Sequence, residues 1–181
     1  MTAEALGTAG PRIAPVSPDI VDDPLASLFA GVARHYGAPP SVGQRLIANH
    51  PRLYRRWLAL GSELLTNGEL PSDLRELAIL RVAHNTGCDY EWRSHGPAAI
   101  AAGLPEAMLA SWKNGGAEAW PDPRWDAVVD LADALHRSST VDDRLWDRLA
   151  TLFSVELILE LLVLVGHYTT TAFVLNALRA P

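Results

Sequence analysis

From Leu161 to Leu178, "LLVLVGHYTTTAFVLNAL", eighteen residues pass without a formal charge. An apolar run of that length must hide its side chains, either in lipid, where about 20 residues cross a bilayer, or inside protein. Gly166, His167, Tyr168, three threonines and Asn176 put much polarity into it, and unsatisfied polar groups are expensive in hydrocarbon. The reading is therefore a helix buried in a soluble core or a subunit interface, with no membrane as partner. Such a helix needs other long elements to cover it.

The rest of the chain supplies helices. "PLASLFAGVARHYG" spaces Leu25, Leu28, Phe29 and Val32 at i, i+3, i+4 and i+7, the spacing of one helical face, and Gly37 suits its stop. "SVGQRLIANHPRLYRRWLALGSELL" continues past a break at Pro51, and "PSDLRELAILRVAHNTG" starts at Pro71 and stops at Gly87. The interior of the latter is apolar on most sides, which marks a central helix. "CDYEWRSHGPAAIAAGLP", "RWDAVVDLADALHRS", "DDRLWDRLATLF" and "SVELILELLVLVGHYTTTAFVLNAL" complete the set. No alternating run with β-branched enrichment reads as a strand. The predicted class is all-α, a single-domain helical bundle. The loop "KNGGAEAWPDP", residues 113–123, reads as a hinge between halves.

Composition narrows the function. The 181 residues carry a net charge of −6 and one cysteine. A length of this order fits one domain, here 23–181, behind a flexible N-terminal arm over 1–22 rich in Pro, Gly and small residues. A lone Cys allows no intrachain disulfide and fits a reducing, cytoplasmic setting. The negative balance argues against a nucleic-acid partner. The only dense basic stretch, "RLYRRW" at 52–57, reads as a solvated helix face with Leu53 and Trp57 turned inward.

The chemistry gathers at 76–95. On one helix Cys88, Glu91 and His95 stand at i, i+3 and i+7, within about 60° of arc, with Trp92 beside them. Cys88 lies near a helix start, where free N–H groups favour a thiolate. Glu76, twelve positions upstream, sits mid-helix among apolar residues and must pair or take up a proton. Each group has a plainer reading. A lone Cys is usually a small buried hydrophobe, His95 could bridge helices, and Glu76 could pair with Arg81 or with Arg75, which as its neighbour does not share its face. What favours a site is that so many proton carriers come together. His84, Cys88, Glu91 and His95 could also be weighed as metal ligands, but their spacing lacks the usual zinc signature. No metal and no cofactor are expected.

"LRELAILRVAHNTGCDYEWRSHGPAAIAAGL", residues 74–104, resembles the carboxymuconolactone decarboxylase family, whose superfamily includes the AhpD-type alkylhydroperoxidases. "ELILELLVLVGHYTTTAFVLNAL", 156–178, resembles that family's closing helix. The peroxidase branch of the family has a Glu, eleven residues, Cys-x-x-Cys, three residues and a His. Placed on this chain, these positions are Glu76, Cys88, Glu91 and His95, so the second cysteine is replaced by Glu91. Peroxide reduction that closes an internal disulfide needs two thiols, so a self-contained dithiol peroxidase is not expected.

The resemblance then implies a cofactor-independent lyase that decarboxylates a small carboxylated, carbonyl-activated substrate. His95 would be the proton donor, with a pKa near working pH, oriented by Glu76 and accompanied by Cys88. His84, Tyr90, Glu91, Trp92, His167 and Tyr168 would line the substrate site. His167 and Tyr168 read equally well as a hydrogen-bonded core pair. The family implies a homo-oligomer. Alternatives are a one-cysteine peroxidase or redox protein using Cys88, and a dehydratase, isomerase or cyclase recruited to a biosynthetic pathway. The geometric expectation common to the acid–base readings is that Glu76 and His95 share one water-poor hollow between consecutive helices.

Overall fold

Helices begin and end where the punctuation places them. The computed structural model describes residues 10–19, 24–113 and 121–181. Among these the chain forms α1 (Leu25–Tyr36), α2 (Val42–Ile47), α3 (Pro51–Ser62), α4 (Ser72–Thr86), α5 (Asp89–Ala101), α6 (Glu106–Lys113), α7 (Pro123–Ser138), α8 (Asp143–Leu152) and α9 (Val155–Leu178). No strand occurs among the described residues, so the class is all-α. Gly37 and Gly87 close α1 and α4 in the left-handed region, at φ 68° and 60°, where a side chain is disfavoured. Ser41 and Gln44 form a reciprocal capping box on α2, and Asp142 caps α8 by accepting from the Leu145 N–H.

The chain divides into two units, residues 1–60 with 174–181, and residues 61–173. The expected hinge at 113–123 is not where they part. Most of it, residues 114–120, lies outside the described residues.

In the first unit Leu25, Phe29, Ile47, Ala48 and Tyr54 form a small core, with Trp57 packed against it. Tyr54 meets Phe29 edge-on at 5.9 Å and stacks with Trp57 at 6.2 Å. The inward face of α3 thus runs through Tyr54, not Leu53, which is 55% exposed. An aromatic ring that can stack on Trp57 takes the interior, and the aliphatic neighbour is turned out. Of the expected arm, residues 10–19 form no helix or strand but are tied down. The Arg12 N–H donates to the Leu178 carbonyl, the Val16 N–H to the Arg45 carbonyl, and Asn49 Nδ2 to the Ala14 carbonyl.

The second unit is built around α4, whose Leu74, Leu77, Ala78, Ile79 and Leu80 are at most 1% exposed. It packs against α5 and α7. Arg81 donates two hydrogen bonds to Asp133 on α7, at 2.6 and 2.7 Å, and Asn85 a third at 2.8 Å. This charge-assisted fork fixes the angle of α4 on α7. From α9, Ile158, Leu161, Leu164, Val165 and Tyr168 enter the same core, as expected for the uncharged run.

Before α4 the chain passes through a single π-helical turn, Glu63–Asn67, and then presses against α9. The Glu160 carboxylate accepts from the Glu69 and Leu70 N–H groups at 3.0 and 3.2 Å. A Cβ on Gly68 would stand 2.0 Å from that carboxylate. Only glycine leaves room for this contact.

Candidate active site

The turn between α4 and α5 is short. The Gly87 N–H returns to the His84 carbonyl and the Cys88 N–H to the Ala83 carbonyl, at 3.2 and 2.8 Å. These bonds satisfy the helix end and double the chain back within two residues. Glu76 on α4 is thereby set against His95 on α5, nineteen residues later. His95 Nδ1 meets Glu76 Oε2 at 2.8 Å, and His95 Nε2 meets Glu91 Oε2 at 3.3 Å. The side chains of Glu76, Glu91 and His95 are 5%, 8% and 16% exposed. One imidazole lies between two buried carboxylates.

The charge state follows. Burial works against an imidazolium, but the hydrogen bonds to Glu76 and Glu91 outweigh it, and the pKa of His95 is pushed up to about 9. His95 is therefore charged at neutral pH, above the range expected from its type alone. The Arg75 guanidinium Nε donates to Glu76 Oε1 at 3.2 Å. Adjacency did not prevent this pairing. Arg81 is committed to Asp133 instead.

Cys88 is the residue before α5, beside Glu91, and is 1% exposed. Burial pushes its thiol up; the Glu91 and Asp89 carboxylates add to this, while the N–H groups of Glu91 and Tyr90 pull the other way without prevailing. The thiolate expected from the helix start is not favoured. Tyr90 is half-buried at the same turn.

His84 and Trp92 go elsewhere. Their rings lie 6.5 Å apart, and both meet Trp112 of α6, at 6.3 and 6.2 Å. Arg81 stands over Trp112 at 5.1 Å. His84 thus belongs to an aromatic cluster at the end of α4, where burial and then Arg81 lower its pKa. Sequence reasoning did not pick out Trp112. The only signal for it was one more tryptophan three residues before a Gly-Gly pair.

The closing helix does reach the site. Tyr168 meets His95 edge-on at 5.1 Å and His167 edge-on at 5.5 Å. His167 is 9% exposed. Burial lowers its pKa, and the negative charge of Glu91 offsets part of this, which places His167 within the field of the Glu91–His95 pair. Glu76, Glu91, His95, His167 and Tyr168 are thus brought together by α4, α5 and α9.

The expected hollow takes a different form. Glu76 and His95 do face each other in a water-poor place, but they close upon one another. Open clefts of about 530 and 570 Å³ lie elsewhere, one between α7 and α8 around Arg144 and Arg148, the other at the start of α3 around Arg52 and Arg56. Among the described residues no group of three or more His, Cys, Asp and Glu has a metal-holding arrangement.

The all-α arrangement is an AhpD-like helical fold. The chain is 17% identical to an uncharacterized peroxidase-related protein from Silicibacter sp. TM1040, with a TM-score of 0.75 over 96% of this chain and 94% of that one. It is 16% identical to a protein with an alkylhydroperoxidase AhpD core from Ralstonia eutropha JMP134, with a TM-score of 0.78 over 94% and 91%. The debrominase Bmp8 is likewise 16% identical, with a TM-score of 0.71 over 94% and 91%. These likenesses establish the fold. Residues 51–134 match the carboxymuconolactone decarboxylase family. No curated protein matches the chain.

Proposed function

We propose that this protein is a cofactor-independent enzyme of acid–base chemistry, a lyase that decarboxylates a small carboxylated, carbonyl-activated substrate. The observation that carries this reading is the placement of His95 between Glu76 and Glu91, at 2.8 and 3.3 Å. In such a reaction the carboxyl group leaves as CO₂, and the electron pair of the broken C–C bond flows into the conjugated carbonyl, giving a dienolate. Imidazolium His95 stabilises that anion and delivers a proton to carbon. Glu76 holds the ring and favours the return of a proton to it from solvent.

The family's peroxide chemistry is less well supported. Glu91 occupies the second cysteine position, and Cys88 is buried and protonated. The low-pKa, accessible thiol that such chemistry requires is missing. The proposal includes a homo-oligomer in the cytoplasm. Val155, Leu159, Val163 and Phe173 of α9 are 64%, 55%, 46% and 62% exposed, and lie along one edge of that helix as apolar surface that a second copy would cover.

The test is turnover of a γ-carboxylated unsaturated lactone, followed by loss of ultraviolet absorbance. His95→Gln and Glu76→Gln should each lower the rate by about 10²–10⁴-fold, the usual worth of a positioned proton carrier. Rates equal to wild type in both variants would remove the pair from the mechanism.

A further inference from the structure

Three arginines crowd the first turns of α3. Arg52, Arg55 and Arg56 are exposed and stand at i, i+3 and i+4, within about 100° of arc on the side turned away from the buried Tyr54. A helix start is the positive end of its dipole, where acidic side chains stabilise and basic ones are unfavourable. The first turn of α3 holds no acidic residue. The three guanidinium groups thus add charge where the local backbone already opposes it.

They line an open cleft of about 570 Å³ together with Pro24, His50, Pro51 and Leu53. That volume falls within the range of about 300–1,000 Å³ usual for small-molecule sites. No carboxylate among the described residues lines the cleft, and none pairs with any of the three arginines. The cleft between α7 and α8 is different, because there Arg137 and Arg148 are answered by Asp133 and Asp130. At α3 the chain gathers cations without such counter-ions, in a protein whose net charge is −6.

We propose that this cleft binds a phosphate group, held by Arg52, Arg55 and Arg56 with His50 as a further donor. A guanidinium fork matches the oxygens of carboxylate and of phosphate. One arginine satisfies a carboxylate, whereas a phosphate, with more charge and more acceptor oxygens, takes several. His50 is prepared for the same role. Its Nδ1 accepts from the Leu53 N–H at 3.4 Å, which fixes the proton of the neutral ring on Nε2, a donor. Leu53, 55% exposed, and the two proline rings offer apolar contact to the body of an organic phosphate.

The cleft belongs wholly to the first unit, whereas Glu76, Glu91 and His95 lie in the second. The inference therefore goes beyond the acid–base reading and does not depend on it. It concerns binding alone, with no bond made or broken. A phosphate group can come from a soluble organic phosphate or from an anionic lipid headgroup, and the concave volume favours the soluble source. Asp22 and Asp23, just before Pro24 in the sequence, lie outside the described residues.

The experiment is isothermal titration calorimetry of the full-length protein with inorganic pyrophosphate at fixed ionic strength, with acetate as the comparison anion. The expected result is a saturable site that prefers pyrophosphate to acetate. Its affinity should fall by about 10-fold or more in the double variant Arg52→Gln/Arg56→Gln, as lost charge-assisted hydrogen bonds require. Both side chains are exposed, so circular dichroism should show the fold retained. Arg144→Gln, in the other cleft, should bind as the wild type does. Sedimentation with phosphatidylcholine vesicles containing phosphatidic acid separates the sources. Vesicle binding that the double variant loses, without pyrophosphate binding, supports the site and assigns it to a lipid headgroup. Binding of neither probe, equal affinity for acetate, or undiminished binding in the double variant overturns the proposal. So does heat that appears only in Asp22→Asn/Asp23→Asn, which would mean that the chain's own acids fill the cleft.

Discussion

Glu76 and His95 meet at 2.8 Å across the α4–α5 hairpin, and His95 reaches a second carboxylate, Glu91, with its other nitrogen. Two anions in a place largely closed to water are tolerable only because the cation between them is retained. The ring is therefore both a structural counter-ion and the proton source of the proposed chemistry.

This makes stability depend on pH in a defined direction. The pKa of His95 is raised in the folded protein from 6.5 to about 9. A raised histidine stabilises the fold fully below its unfolded value, and the contribution is lost as pH climbs through the folded value. Thermal denaturation should show Tm falling between about pH 6.5 and pH 9 in the wild type, and a flatter profile over that window in His95→Gln. Parallel profiles would mean that the ring is not charged in the native state.

Cys88 should behave as packing. At 1% exposure with its thiol pushed up by burial, it should resist iodoacetamide at pH 7.5 until the protein is unfolded. Cys88→Ala should keep most of the lactone-decarboxylating activity while losing stability. Rapid alkylation of the native protein would revive a thiol mechanism.

The Gly68–Glu160 contact predicts a cost. In Gly68→Ala the new methyl group would lie where the Glu160 carboxylate sits, and two hydrogen bonds to the Glu69 and Leu70 N–H groups would be lost. Urea denaturation should show a loss of about 1–3 kcal/mol, the cost of leaving such groups poorly satisfied. Glu160→Gln, which keeps an acceptor and the space, should cost less.

Tyr54 offers the opposite sign. Its side chain is fully buried, and its hydroxyl has no hydrogen-bond partner among the described residues. Burial accordingly raises its pKa to about 12. Tyr54→Phe keeps the stacking with Trp57 and removes the unsatisfied group. It should be neutral or stabilising by about 1 kcal/mol; a clear loss of stability would point to a buried partner for the hydroxyl.

How far the sequence could be read depended on whether a signal was local. Pro71 and Gly87 bound α4 because each acts on its own backbone, and Glu91 and His95 meet because their spacing is a property of one helix. Glu76 was legible as a carboxylate among the apolar residues of its own helix, and the resemblance over 74–104 set it beside His95. What failed depended on packing between elements. The choice of Tyr54 over Leu53 as the inward residue was made by ring stacking within the first unit's core. His84 and Trp92 were drawn away by Trp112 on α6, a helix with no distinctive signal in the sequence. The charge on His95 came from two partners at once, and the protonated Cys88 from burial that overrode the helix start. The division of the chain at residues 60 and 173 has no composition shift to announce it.

The central claim is that His95 is an imidazolium held between two carboxylates at neutral pH. Histidine-selective ¹⁵N NMR titration tests it most directly, with the His95 signals assigned from His95→Gln. The account predicts a midpoint near pH 9 that falls in Glu76→Gln. A midpoint at or below 6.5, unmoved by loss of the Glu76 charge, would contradict it.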